Sequence, residues 1–269
     1  MRVVPTAEFA SLVFGTGGVA VDDPAEAFHE ASRVYPQIAP ERLAASAALA
    51  RSGDLQQTVG RSSRTHPHRS GVELPRGSLP RVSLRAALAC RRSSAAAERQ
   101  PLTVRALAAL LEAGYAALPR EPGALRRPVP SGGALYPLEL YVLAVAVEGL
   151  GRAVFHYDPF RHRLELLAPL DVGRAAAALV DPTLVDGAAA LVVVTAVFWR
   201  SRFKYGLRGY RFALLEAGHV VQNAVLAAAA LGLPALPLGG FFDRRLDELV
   251  GADGLDEASV YALVIGGDA

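Results

Sequence analysis

An amine and a phenol stand side by side in a short charged segment of this 269-residue chain. The segment "FKYGLRGYR" contains Lys204, Tyr205, Arg208 and Arg211, and apolar sequence lies on both sides of it. An amine and a phenol at one place can move a proton in general acid–base catalysis. Lys204 is also the only lysine in a chain whose other cations are arginines. A solvated loop and the coding bias of an arginine- and alanine-rich sequence explain the same pattern, so both interpretations stay open.

A second cluster, Arg91, Arg92 and Ser93, suits a phosphate group. Guanidinium groups supply forked, charged donors, and a hydroxyl adds a neutral one. The cluster lies at the end of a short helical pattern at residues 83–92. A basic helix end that complements the helix dipole is therefore the alternative interpretation.

Two glycine-rich segments can bring backbone amides close to a planar ligand, because glycine has no side chain to keep the ligand away. The first, "PSGGALYP", is bounded by prolines and contributes the candidates Pro130, Ser131, Gly132 and Gly133. The second contributes Leu238, Gly239 and Gly240. An ordinary glycine–proline turn is the alternative for each segment.

Helices and strands alternate around these segments without a regular βαβ repeat. An amphipathic helix is predicted after Thr103, and a long helix over residues 211–231. Strands are predicted at 138–147, 153–159, 163–169, directly before residue 199, and at 259–267. The first three of these form a meander. The pattern favours an α+β fold with a mostly antiparallel central sheet flanked by helices.

Composition excludes several classes of function. A formal net charge of +2 argues against a dedicated nucleic-acid binder. Polar residues interrupt the apolar stretch at 211–233, which argues against a membrane span. The single Cys90, expected to be small and buried, cannot form an intrachain disulfide. These features and a poor signal-peptide pattern predict a cytoplasmic protein.

Two segments contain histidines, and neither is interpreted as a functional site. The basic stretch at 61–69 lies among Ser, Thr and Pro and is interpreted as a solvated loop within a linker-like region at 51–80. His156 and His162 lie near Asp158 without the paired spacing of metal ligands, so no metal site is predicted.

Four motifs in order resemble one family. They are "RRSS" at 91–94, "RPVPSGGALYPLELYV" at 127–142, "FKYGLRGYRFALLEAGHVVQN" at 203–223, and the downstream "ALGLPALPLGGFFD". Their order and spacing closely resemble the SagB-type dehydrogenases, or azoline oxidases, of the nitroreductase superfamily. The resemblance covers about residues 80–267, and "FHEASR" at 28–33 is similar to a segment upstream in the same group.

The resemblance implies an FMN enzyme with a nitroreductase-like fold, in which a long helix lies at the core of a homodimer. It also implies oxidation of thiazoline and oxazoline rings in a peptide or carrier-bound substrate, with a possible cyclodehydratase complex. Residues 1–79 would form an N-terminal helical segment and linker, and 80–269 the FMN-binding domain. An NAD(P)H-dependent nitro- or quinone reductase and a non-catalytic scaffold of such a complex remain alternatives.

The resemblance also implies roles for the candidate residues. Lys204 would be the base, and Tyr205 would position the substrate or relay the proton. Arg91, Arg92 and Ser93 would bind the flavin phosphate, with Arg208 or Arg211 completing the clamp. The glycine segments would face the flavin ring. The chain departs from the family where Ala95 to Ala97 replace a further basic residue and where a basic tail is absent after "VIGGDA".

Overall fold

A computed structural model describes residues 23–36, 51–54, 63–121 and 124–268 of the chain. Much of the N-terminal helical segment and linker expected at residues 1–79 lies outside the described residues. The described helices are α1 (Pro24–Ala31), α2 (Leu84–Cys90), α3 (Val104–Tyr115), α4 (Val172–Ala177), α5 (Trp199–Tyr205), α6 (Leu207–Leu231) and α7 (Asp243–Val250).

Side chains cap the first turns of α1, α2 and α3, and the start of α3 after Thr103 is the one predicted above. The Asp23 carboxylate accepts a hydrogen bond from Ala25 N, with Pro24 in the first turn of α1. The Ser83 hydroxyl caps α2, and the Thr103 hydroxyl caps α3. Each cap satisfies a backbone N–H that has no partner within its own helix.

Nine described strands form two sheets. They are β1 (Gly71–Glu73), β2 (Leu118–Glu121), β3 (Ala124–Arg126), β4 (Leu138–Ala144), β5 (Ala153–Asp158), β6 (Arg163–Pro169), β7 (Ala190–Val197), β8 (Ala235–Leu238) and β9 (Glu257–Ile265). The main sheet has seven strands in the order β1-β6-β5-β4-β7-β9-β8, and every pairing in it is antiparallel. The predicted α+β class, antiparallel sheet and β4–β6 meander are confirmed.

The long helix α6 runs through the core of the fold. It packs against α3, and alanines and valines line its buried face. Its length and hydropathy would suit a membrane span, but that buried face is typical of the core helix of a globular domain. Burial along it does not follow side-chain hydropathy, since Leu214 is 42% exposed while Glu216 is only 2% exposed. Because alanines occur on several faces of α6, these faces differ little in hydropathy, and the sequence does not indicate which of them is buried.

The stretch at 63–73 is attached to the main sheet: residues 63–70 form a loop that hydrogen-bonds to buried carboxylates of the sheet, and residues 71–73 form β1. Arg64 N donates to the Glu139 carboxylate at 2.7 Å, and His66 N donates to Glu165 at 2.9 Å. The strand β1 then pairs with β6. These partners are distant in sequence, so local composition indicated the loop but not its attachment to the sheet. The domain boundary at residue 80 stays a prediction.

Cys90, at the end of α2, is exposed rather than buried. The helix is only two turns long, and Ala87 is its one buried residue. Its short apolar pattern therefore does not carry Cys90 into the core.

Candidate active site

Strand register brings the first glycine segment and the Lys204 helix to the same end of the sheet. Leu138, at the start of β4, pairs with Ala196, near the end of β7. Val197 N donates to the Pro137 carbonyl at 2.8 Å. The loop that precedes β4 and the helix α5 that follows β7 are therefore neighbours, although about 70 residues separate them in sequence.

Lys204 and Tyr205 both face Gly133. A β-carbon built on Gly133 would lie 2.5 Å from Tyr205 Oη and 2.7 Å from Lys204 Nζ. The amine also lies 5.1 Å from the centre of the Tyr205 ring. Both side chains are partly exposed, so a substrate can reach them. The structure thus brings together two groups of residues that the sequence proposed separately.

The loop itself has a constrained backbone. Gly133 has φ +68°, Ala134 has φ +56° and Tyr136 has φ +45°. Positive φ is costly for residues with a side chain, and such strain gathers at functional sites. Within the loop, the Ser131 hydroxyl accepts a hydrogen bond from Tyr136 N at 2.9 Å.

Aromatic contacts fix the loop against α6. A β-carbon on Gly132 would lie 2.9 Å from the Phe212 ring, so only glycine fits without movement of that ring. The same ring meets Tyr205 edge-on at 5.0 Å. Phe212 therefore contacts both the loop, at Gly132, and the Tyr205 ring.

An ion pair attaches α5 to the sheet. Arg200 lies 2.6 Å from the Glu139 carboxylate, which is 1% exposed on β4. His156 donates to Glu139 at 2.9 Å and to Glu165 at 3.2 Å, and both partners are buried. An imidazole that donates from both nitrogens to carboxylates is an imidazolium. Arg200, four residues before Lys204, is held by this network.

The protonation of that network follows from its contacts. Burial by itself would raise the pKa of Glu139, but the hydrogen bond from His156 and the Arg200 charge lower it to about 2. Burial would lower the pKa of His156, yet its bonds to Glu139 and Glu165 raise it above the usual value. Opposite charges therefore favour each other in the interior.

Three members of this region could also offer ligand atoms to a metal. His66, His156 and Glu165 bring such atoms within 4.8 Å of one another, a grouping that the sequence spacing did not reveal. Both His156 nitrogens already donate to carboxylates. The contacts therefore describe an ionic network.

Sequence reasoning also missed a buried polar cluster behind the loop. Glu216 accepts a hydrogen bond from Tyr115 Oη at 2.7 Å. Burial raises the pKa of Glu216 to about 7, although Ser131, Tyr115 and the Arg127 charge oppose the rise. The only sequence signal was a carboxylate four residues after Phe212, on the same face of α6.

The predicted phosphate cluster lies elsewhere in the chain. Arg91 donates to the Ser93 hydroxyl at 3.2 Å. Arg92 lines a cavity of about 420 Å³ with Cys90 and Ala229, near the C-terminal end of α6. Seventeen residues of helix separate Ala229 from Phe212, a span of about 25 Å. One chain therefore does not bring this cluster to Lys204.

The remaining candidates occupy two further places. Arg208 lies in the first turn of α6, and Arg211 donates to the His29 carbonyl of α1 at 2.6 Å. Neither meets the cluster at Arg91 within one chain, so their part in a phosphate clamp stays a prediction. Leu238 ends β8, and the glycines after it lead to a hydrogen bond from Val180 N to Gly240 O.

These residues fit an FMN in their chemistry. The Arg91–Ser93 cluster offers cationic and hydroxyl donors beside a cavity. Apart from its chain neighbours, no atom of the described residues lies within 4 Å of the position that a β-carbon on Gly239 would take, so that side of the backbone has room for a flat ligand. The loop at Gly133 presents backbone beside the amine of Lys204.

Comparison with known proteins gives a consistent result. Residues 88–267 match the nitroreductase family. The chain is 34% identical over 180 residues to the nitroreductase-family protein MJ1384 of Methanocaldococcus jannaschii, covering 66% of this chain and 88% of that protein. It is 32% identical over 174 residues to the microcin B17-processing protein McbC of Escherichia coli, covering 62% of each.

A solved structure extends the similarity to most of the chain. A chain of the E. coli microcin synthetase McbBCD complex, solved with truncated pro-MccB17 bound, is 26% identical. The similarity has a TM-score of 0.60 and covers 91% of both chains. The protein belongs to the nitroreductase family, and within it resembles the peptide-processing SagB-type members.

Proposed function

We propose that this protein is an FMN-dependent dehydrogenase that oxidises thiazoline and oxazoline rings of a peptide or carrier-bound substrate to thiazoles and oxazoles. The observation that carries the proposal is that Lys204 Nζ and Tyr205 Oη converge on Gly133, 2.7 Å and 2.5 Å from the position that a β-carbon there would take. Similarity to the microcin B17-processing protein McbC supports it. Bound FMN would supply a hydride acceptor at its N5 atom.

The chain itself would supply the base. Aromatisation of an azoline removes a hydride from one ring carbon and a proton from the adjacent α-carbon, which the C=N bond and the neighbouring carbonyl acidify. Lys204, as a neutral amine, would take that α-proton. Tyr205 would orient the ring or pass the proton on. Gly133 leaves room for both side chains because it has none of its own.

We further propose a homodimer. Arg92, the middle residue of the phosphate cluster, lines a cavity at the C-terminal end of α6, whereas Lys204 lies in the helix that directly precedes its N-terminal end. A separation of about 25 Å along that helix exceeds the length of one FMN molecule. A second copy related by a twofold axis could place its phosphate cluster near the Lys204 end of the first.

A larger assembly is also part of the proposal. The chain is similar over 91% of its length to a subunit of a microcin synthetase complex with a bound peptide precursor. We therefore propose that this protein works with a cyclodehydratase that forms the azolines it oxidises.

The test follows azoline conversion by mass, as the loss of two hydrogen atoms per ring, with FMN-reconstituted protein. Lys204→Ala should keep its flavin and lower the rate by about 100-fold or more, the usual scale for loss of a general base. Lys204→Arg should not restore it, because a guanidinium keeps its protons. Tyr205→Phe should lose less if the phenol only orients the substrate.

Two results would replace this function. Azoline oxidation by Lys204→Ala at the parent rate, together with NAD(P)H-driven reduction of nitroaromatics or quinones, would favour a general reductase. Protein that stays colourless and takes up no FMN would favour a non-catalytic scaffold.

A further inference from the structure

A buried carboxyl group reaches the end of the glycine loop that leads into β4. Leu138 N donates to Tyr115 Oη at 3.2 Å, and Tyr115 Oη in turn donates to Glu216 at 2.7 Å. Tyr115 is 1% exposed and Glu216 is 2% exposed, so water does not compete for these bonds. Hydrogen bonds in series polarise and strengthen one another in such surroundings.

The same carboxyl group reaches the start of the loop. The Ser131 hydroxyl lies near enough to lower the pKa of Glu216, while it accepts a hydrogen bond from Tyr136 N. Glu216 Oε2 has no hydrogen-bond partner among the described residues, so it is free to accept from a small movement of Ser131. One side chain thus faces both ends of a loop whose middle contacts Lys204.

Helix geometry places two of the residues that support the loop on the same face of α6. Phe212 and Glu216 are four residues apart on α6 and therefore lie on one face of it. Phe212 supports Gly132, and Glu216 faces Ser131 one turn further along. Two consecutive turns of α6 therefore hold the loop from behind.

A contribution to folding stability does not explain why a carboxyl group is buried at position 216. Burial raises the pKa of Glu216 to about 7, so the folded protein bears a cost for its charge at neutral pH. The neighbouring Arg127 is 6% exposed, and its guanidinium lies 4.0 Å from the centre of the Tyr115 ring. Its two terminal nitrogens have no hydrogen-bond partner among the described residues. A well-packed apolar residue in place of such a group is often neutral or stabilising.

We propose that Glu216, acting through Tyr115 and Ser131, is a positioning residue that fixes the loop at 130–137 against Lys204 and Tyr205. Its effect on turnover rests on the proposed function, whereas its effect on the loop does not. Glu216 itself touches neither reacting atom, and its influence passes through the backbone of Gly133.

The test compares Tyr115→Phe and Glu216→Gln with a matched control, Asn223→Ala, in the full-length flavin-loaded protein. Asn223 donates to the Ala113 carbonyl at 3.2 Å, so its removal breaks another bond between the same two helices, away from the loop. Amide hydrogen exchange of residues 131–138 and the kcat and KM for an azoline are measured for each. Loss of one hydrogen bond corresponds to about a tenfold change.

Tyr115→Phe should speed exchange at Tyr136 and Leu138 by about tenfold and lower kcat by a similar factor, with KM little changed. Glu216→Gln keeps an acceptor for Tyr115 and should fall between that variant and the parent. Asn223→Ala should change neither measurement. Exchange and kcat in both test variants equal to the control would overturn the proposal.

The two proposals fail in different ways. A parent protein that oxidises no azoline would refute the proposed function, and the exchange measurement would still decide the role of Glu216. Parent-like exchange in Tyr115→Phe with normal azoline oxidation would refute only the positioning role.

Discussion

Gly133→Ala tests the geometry of the candidate site most directly. The new β-carbon would lie 2.5 Å from Tyr205 Oη and 2.7 Å from Lys204 Nζ, where ordinary contacts begin at 3.4 Å. Both side chains would have to withdraw by about 1 Å. A displacement of that size can cost about 100-fold in rate. Because the two polar atoms end flexible side chains, we expect the fold to accommodate the change.

The expected loss of stability comes from the backbone. Gly133 has φ +68°, and a residue with a β-carbon in that region costs about 1–2 kcal/mol. For a domain of this size, that lowers Tm by a few degrees. Gly149 is a matched control, since it has φ +72° and no atom within 4 Å of its would-be β-carbon.

The assay measures azoline oxidation and thermal unfolding for both variants. Gly133→Ala and Gly149→Ala should lose similar stability, and only Gly133→Ala should lose about 100-fold in turnover. Equal turnover in the two variants would refute the argument that the loop backbone sets the position of the Lys204 amine.

Three further predictions concern flavin, pH and assembly. Arg91→Ala combined with Ser93→Ala should weaken FMN retention by several kcal/mol, at about 1.5–3 kcal/mol per charged bond, and undiminished flavin occupancy would place the phosphate elsewhere. Burial raises the pKa of Glu216 from 4.5 to about 7, so the stability tied to its neutral form is complete below about pH 4.5 and is lost as pH rises through 7. The difference in unfolding free energy between Glu216→Gln and the parent should therefore shift by about 2–3 kcal/mol in favour of the variant as pH rises from about 5 to about 8. A difference that does not change with pH would contradict the raised pKa. The mass in solution should be that of a dimer, and a monomer with full flavin occupancy would exclude the shared site.

Local patterns predicted much of the fold because they depend on neighbours in sequence. Alternation and turn residues indicated the meander of β4 to β6, and Thr103 marked the start of α3. The strand β1 was not predicted, because its three residues are all exposed and pair only with the distant β6. The sequence did not predict which face of α6 is buried, because alanines give its faces similar hydropathy. The burial of Glu216 was therefore not predicted either.

The candidate site was predicted in pieces, and the joining of the pieces required the sheet. The glycine loop and Lys204 were each visible as motifs, but their contact depends on the register of Leu138 with Ala196. The buried cluster draws Tyr115 from α3, Glu216 from α6 and Arg127 from the loop that follows β3. Side chains that meet only across such distances leave no local pattern.

The single lysine of this chain has a practical consequence for anyone who handles the protein. Reagents directed at amines usually modify many scattered surface lysines, but here Lys204 and the α-amino group are the only targets. Among the side chains, coupling through succinimidyl esters or aldehyde resins would therefore select the candidate base, next to Gly133, with the α-amino group as its competitor. The same selectivity makes Lys204 a natural anchoring point for an isotopic or fluorescent reporter of that site.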